Sequence, residues 1–198
     1  APKLPPALAD WDCRNNRLAW LALQADGMLD VVQAAIARFG PTRMGLVLGT
    51  STSGILSAEQ AYTERHPDTG ALPDWFDYQR SHNTAALSGF VKAALDLRGP
   101  ALTISTACSS SAKAFAAADR WLQQGLVDAV LVGGVDSLCL TTLYGFSSLE
   151  LTSAQACRPG DAKRDGLSIG EAAAYALLVR DGNDTLGAGS GIRLSGWG

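Results

Sequence analysis

The stretch Ala101-Leu102-Thr103-Ile104-Ser105-Thr106-Ala107-Cys108-Ser109-Ser110-Ser111-Ala112-Lys113-Ala114-Phe115-Ala116-Ala117-Ala118-Asp119-Arg120-Trp121-Leu122-Gln123-Gln124 decides the fold. Ala101 to Ser105 is a short apolar run that reads as a strand, and Ser109 to Gln124 reads as a helix. Ala112, Phe115, Ala116 and Leu122 are expected on its inward face, with Gly125 as the stop. Cys108 falls where strand turns into helix. The first turn of a helix presents unpaired N–H groups and a partial positive charge. A thiolate placed there is stabilised, and the same N–H groups can hold the oxyanion formed when it attacks a thioester carbonyl. Ala107, Ser109 and Ser110 are small and leave room for a substrate to approach. The alternative reading of Cys108 is a structural cysteine, which is what most free cysteines are. A hydrolase elbow fits poorly, because the glycines it needs two before and two after the nucleophile are Thr106 and Ser110.

Working outward, helix and strand signals alternate, which predicts an α/β fold. Residues 14–38 read as helix, interrupted or bent near Gly27. Met44 to Gly49 reads as a buried strand, Thr50 to Gly54 as a small-residue turn and residues 55–65 as helix. His66 to His82 is rich in Pro, Gly and Asp and reads as loop. Leu87, Phe90, Val91, Ala94 and Leu95 share one helical face, ended by Gly99-Pro100. Asp128 to Gly133 reads as strand. Ala172 to Arg180 and Ile192 to Trp197 read as two further strands joined by a Gly-rich turn. No boundary divides the chain, so residues 1–198 are expected to form one unit.

Composition narrows the function. The 198 residues carry a net charge of -3, with 47% hydrophobic and 18% charged residues, a globular balance that gives no basis for non-specific nucleic-acid binding. No apolar run is long enough to cross a bilayer as a helix. The four cysteines (13, 108, 139 and 157) form no CxxC pair and there are only two histidines, so no metal site is expected. The thiols are expected reduced and the protein cytoplasmic. The opening Ala-Pro-Lys-Leu-Pro-Pro reads as an internal start.

With these residues in place, a resemblance emerges. Gly99 to Ser111 resembles the active-site stretch of the elongating β-ketoacyl-acyl-carrier-protein synthases, which use malonyl-carrier protein. Asp128 to Asp136 (DAVLVGGVD) resembles the strand and Gly-Gly turn that follow it. Arg158-Pro159-Gly160-Asp161-Ala162-Lys163-Arg164-Asp165-Gly166, then Gly170-Glu171, is similar to the family's R-P-F-D-x-x-R-D-G motif and its G-E-G. Met44 to Gly54 resembles a G-V-x-x-G-T-x-x-G segment. Gly160 stands where the family has Phe, and Ala172 where it has Gly.

The resemblance implies a thiolase-like fold, with a mixed sheet covered by helices, of which this chain is the N-terminal half. It implies that the family's first strand precedes Ala1, and that the second half, with two catalytic His and a Lys, follows Gly198. It implies that Cys108 accepts an acyl group from a carrier-protein phosphopantetheine arm, and that condensation with malonyl-carrier protein follows. No cofactor beyond that arm is implied. Acyl carrier protein is the implied partner, together with a second copy or a homologous synthase subunit paired through strand 101–105. Thr52 and Phe146 fall where the family lines its acyl pocket. Arg14 and Arg17, three apart, fall near its basic carrier-docking residues; their alternative is a solvated pair. Arg158, Asp161, Arg164, Asp165 and Glu171 are expected to form a paired, partly buried network supporting the site. His66 and His82 match neither catalytic position and read as solvated loop residues. Cys13, Cys139 and Cys157 read as packing residues. Two other readings stand beside this one: a thiolase acting on coenzyme A substrates, and a non-catalytic chain-length partner subunit. The chain alone is expected to be inactive.

Overall fold

The computed structural model describes residues 2–180 and 192–197. A short 3-10 helix over Pro6–Trp11 leads into α1 (Arg14–Gln24) and α2 (Met28–Phe39). Of the expected bend or interruption near Gly27, the chain takes the interruption, because Asp26 and Gly27 both take positive φ, 53° and 72°. Then follow β1 (Met44–Gly49), α3 (Ile55–Thr63), α4 (Ala86–Ala94), β2 (Ala101–Ile104), α5 (Ser110–Gln123), β3 (Ala129–Asp136), α6 (Leu140–Ser148) and β4 (Ala172–Val179).

The sheet order is β2-β1-β3-β4. β1 runs parallel to both β2 and β3, and β4 lies antiparallel to β3. The three parallel strands need crossovers. α3, the 66–82 loop and α4 supply the first, and α5 supplies the second.

Strand alternation sends successive side chains to opposite faces. On one face Met44, Leu46, Leu48, Leu131 and Val135 pack against Leu23 of α1, Val32 of α2 and Phe90 and Val91 of α4. On the other, Val47, Val130 and Val132 meet Ala114, Ala118 and Leu122 of α5. Each fully buried Leu or Phe among these contributes on the order of 2 kcal/mol. The inward face of α5 holds the expected Ala116 and Leu122, both buried, and Phe115 packs against its margin, but Ala112 does not belong to it. Ala112 is exposed and Phe115 half-buried, while Ala114 and Ala118 face the sheet. Counting back in steps of four from Leu122 gives that stripe, since it lies over the sheet centre.

The expected strand over 192–197 is absent: those residues have no regular structure, and the Gly-rich turn before them lies outside the described residues. Trp197 instead reaches α5, where its indole N–H donates to Asp119 at 2.8 Å and Arg120 stacks on its ring at 4.0 Å. No helix among the described residues is long and apolar enough to cross a membrane.

Candidate active site

The C-terminal ends of β1, β2 and β3 converge, which is where open α/β sheets gather their ligands. β2 ends at Ile104 and α5 begins at Ser110, so residues 105–109 must reverse direction in one tight elbow. Ala107 takes a φ of 54°, a left-handed conformation that costs a residue with a Cβ on the order of 1 kcal/mol. Hydrogen bonds hold it there. Ser110 N–H and Ser110 Oγ both donate to Ala107 O, at 3.0 and 2.6 Å. Thr106 N–H donates to Ser110 Oγ at 2.9 Å, and Ser109 Oγ donates to Thr106 O at 3.0 Å. Cys108 sits on the outer bend of this loop, exposed. It precedes Ser109, the N-cap of α5, whose side chain makes no capping hydrogen bond. Cys108 is thus one residue further from the helix than its sequence context suggests.

Two glycines set how closely the elbow lies against the sheet. Gly49 and Gly134 are partners in the β1–β3 register. A Cβ on Gly49 would lie 2.7 Å from both Ser110 C and Ser111 N, and one on Gly134 would lie 2.1 Å from Ser111 Oγ. The first turn of α5 therefore rests directly on bare backbone.

Beside the elbow, Asp136 ends β3. Its Oδ1 accepts the backbone N–H of Ser51 at 2.6 Å and of Thr52 at 2.9 Å, and the hydroxyls of Thr50 and Thr52, both at 3.1 Å. Ser137 N–H donates to Thr52 Oγ1 at 3.0 Å. Ser53, at a φ of 43°, donates its hydroxyl to Ser81 O and Asn83 O, and so locks the turn onto the 77–83 loop. A cleft of about 510 Å³ runs along α5 and the ends of β3 and β4, lined by Ser111, Phe115, Asp136, Glu171 and the Ala172–Ala176 strand.

The remaining sequence-predicted residues separate. Thr52 is 6% exposed, and its hydroxyl is engaged with Asp136 and Ser137. Phe146 is half-buried on α6. Neither lines the cleft. α6 is itself held by Glu59 of α3, which accepts Leu140 N–H at 2.9 Å and Thr141 N–H and Oγ1 at 2.6 Å each. Partial burial raises the Glu59 carboxyl, but these donors outweigh it and hold the group below its ordinary value.

Arg14 does not stand free as a solvated pair with Arg17. Its guanidinium forks onto Glu171, both contacts at 2.7 Å, and Glu171 also accepts Leu138 N–H at 3.1 Å. Arg17 forks onto Asp12. The Arg14 and Arg17 hydrogen bonds hold Glu171 and Asp12 below the ordinary carboxylate range.

The expected partly buried network is corrected on two counts. Glu171 leaves it for Arg14, and Arg158, Asp161, Arg164 and Asp165 are all exposed. Residues 153–168 are loop rather than a segment pressed between strands, so water reaches their charges. Arg158 still pairs with Asp165 at 3.7 Å and donates to Lys163 O at 2.8 Å. His66 is exposed, its Nδ1 accepting the N–H groups of Asp68 and Thr69, and His82 is half-buried against Tyr78 at 5.4 Å. Cys13 and Cys139 are buried as expected, but Cys157 is half-exposed in the charged loop and packs no core.

Sequence reasoning missed α6, and with it the Glu59 cap; Thr141 and Thr142 weaken the helical signal there. It also passed over Asp136 as a hub, although an Asp after a Gly-Gly strand end was visible.

A family model described as the N-terminal domain of β-ketoacyl synthase matches residues 17–183. The 3-oxoacyl-[acyl-carrier-protein] synthase 2 of Rhizobium meliloti (strain 1021) is 34% identical over 143 residues, covering 68% of this chain and 34% of that protein. Nodulation protein E of the same strain is 32% identical over 137 residues, 69% of this chain and 34% of that protein. Among solved structures, the ketosynthase ApeO in complex with its chain length factor ApeC, from Xenorhabdus doucetiae, is similar at a TM-score of 0.78. It is 38% identical, and the match covers 91% of this chain and 45% of that one. The chain spans about a third of the length of these curated relatives.

Proposed function

Because this chain belongs to the β-ketoacyl synthase family, as its N-terminal domain, we propose that Cys108 is the acyl acceptor of a β-ketoacyl-carrier-protein synthase. The mixed sheet clothed by helices is the thiolase-like ketosynthase fold. The observation that carries the reading is the placement of Cys108. It is the one exposed cysteine, at a strained elbow above the ends of three parallel strands and beside the N-terminus of α5.

The chemistry follows from that placement. The Cys108 thiolate attacks the carbonyl carbon of an acyl thioester on a carrier-protein phosphopantetheine arm. The tetrahedral oxyanion collapses, the pantetheine sulfur leaves as thiolate, and the acyl group stays on Sγ. In this proposal the oxyanion takes its donors from N–H groups of the elbow and first turn other than those of Thr106 and Ser110, which are engaged within the elbow. Malonyl-carrier protein then loses carbon dioxide, and its carbanion attacks the acyl-Cys108 carbonyl, releasing the Cys108 thiolate and a chain two carbons longer. No cofactor besides the substrate's own arm is required. Cytoplasmic location is part of the proposal.

This chain by itself should not condense. His66 serves its own loop and His82 lies against Tyr78, so neither is placed as an acid or base for Cys108. Arg14 and Arg17 remain the proposed carrier-protein contacts, and each would first have to release its carboxylate to meet the acidic carrier. Thr52 and Phe146 remain the proposed acyl-pocket residues. Thr52 would act from beneath, by holding its turn.

A paired assembly is also proposed. β2 is an edge strand with no Lys or Pro to blunt it, and Leu102 is 40% exposed. The similar ApeO is a ketosynthase in complex with a chain length factor. A second copy or a homologous subunit seated on this edge would cover it. The test of the central reading is incubation of the full-length protein with an acyl-carrier protein, followed by intact mass and peptide mapping. An acyl adduct on Cys108, lost in Cys108→Ala, supports the proposal; an adduct elsewhere, or none, refutes it.

A further inference from the structure

The four donors gathered on Asp136 Oδ1 come from three consecutive residues, Thr50, Ser51 and Thr52. One oxygen accepting two successive backbone N–H groups and two hydroxyls fixes the turn at a single point, and its charge makes each bond about twice as strong as a neutral one. The turn is tied to the elbow by two short routes. Thr50 N–H donates to Ile104 O at 3.1 Å, and Ile104 is the last residue of β2 before the elbow. Gly49, just before the turn, carries the first turn of α5 against its bare backbone. Asp136 thereby joins β3, the 50–53 turn, the end of β2 and the base of α5 at one point. Cys108 is suspended between the last two.

We propose that Asp136 is a positioning residue for Cys108, setting the height and direction of the nucleophile through the 50–53 turn. The proposal rests on the reading of Cys108 as acyl acceptor only for its catalytic consequence; the geometric link exists without it. What Asp136 supplies is an acceptor oxygen. Asparagine keeps that oxygen, and alanine removes it and leaves two backbone N–H groups and two hydroxyls without it. An error of about 1 Å at a reacting atom costs roughly 100-fold in rate.

The experiment compares Asp136→Ala and Asp136→Asn in the full-length protein by two readouts. The first is the rate at which iodoacetamide labels Cys108, referred to Cys157 in the same molecule; it needs no catalysis. The second is acyl transfer from an acyl-carrier protein, with the saturating rate and KM separated. For Asp136→Ala, the saturating rate should fall about 10- to 100-fold with KM within about twofold. The Cys108 labelling rate should change while that of Cys157 does not. Asp136→Asn should recover both to within about fivefold of wild type. If Asp136→Ala does not fold, Thr50→Val, which removes one of the four donors together with the acceptor of Ser53 N–H in the same turn, should lower the acylation rate at least about threefold. Wild-type rates in Asp136→Ala, or in Thr50→Val where that variant stands in, overturn the proposal, as does an Asp136→Asn variant no better than Ala. If the wild-type protein takes no acyl group yet Cys108 labelling still answers to Asp136→Ala, the synthase reading fails and the positioning role stands.

Discussion

Gly49→Ala is the substitution whose cost the structure states most directly. An added Cβ would lie 2.7 Å from Ser110 C, 2.7 Å from Ser111 N and 2.9 Å from Ser111 Cα, where ordinary contact begins at 3.4 Å. The shortfall is about 0.7 Å. All three atoms are backbone, so no rotamer relieves it. Gly49 cannot retreat either, because it is held in register between Ile104 and Gly134. The first turn of α5 must lift. Overpacking of this kind costs about 1–3 kcal/mol. In a chain of this size each kcal/mol lowers Tm by roughly 2–4 °C, so a drop of about 2–12 °C is expected by calorimetry. The lifted turn carries Cys108 with it, and acylation of the full-length protein should fall by about one to two orders of magnitude. Gly145→Ala is the control: it is mid-helix in α6 with nothing within 4 Å of the new Cβ, and should leave Tm equal or higher. A Gly49→Ala protein with wild-type Tm and wild-type Cys108 labelling would refute the claim that α5 rests on that glycine.

Iodoacetamide near neutral pH should modify Cys108 first, Cys157 more slowly, and buried Cys13 and Cys139 last, with burial also raising the Cys13 thiol; equal labelling of all four in folded protein would contradict the exposed elbow. Glu171, Asp12, Asp128 and Glu59 are held below their ordinary values of 4.5, 3.8, 3.8 and 4.5. Each therefore stabilises the fold fully above those values, and that stabilisation is lost as pH falls through the lower folded ones, so the urea midpoint should drop on the acid side. Glu171→Gln should flatten part of that limb, and an unchanged acid slope would count against the Arg14 pairing. Thr103 donates its hydroxyl to Ser88 Oγ at 2.8 Å, so a charge there would strike the fold itself, whereas Leu102→Lys tests the β2 edge. Light scattering of the full-length protein should give a dimer that Leu102→Lys dissociates, and an intact dimer in that variant would place the interface elsewhere.

The alternation of helix and strand, the buried strand at Met44–Gly49, the strand at Ala101–Ile104, and Cys108 at a strand-to-helix junction were all legible in the chain. Local periodicity and Gly or Pro stops report what a segment does within a few residues of itself. What separates in sequence but meets in space was not legible. Arg14 and Arg17 read as a pair because they are three residues apart, yet one forks onto Glu171, 157 residues away, and the other onto Asp12. Ala112 read as inward because it is apolar, but the side of α5 that faces the sheet is set by where Gly49 and Gly134 leave room. Residues 192–197 alternate like a strand but take no regular structure, since alternation alone does not make a strand. The kind of nucleophile and the order of the elements were local properties, fixed by residue type and spacing. The aim of Cys108 was decided only by the tertiary structure, because it depends on a carboxylate at the end of one strand, a turn after another and a helix resting on bare glycine between them.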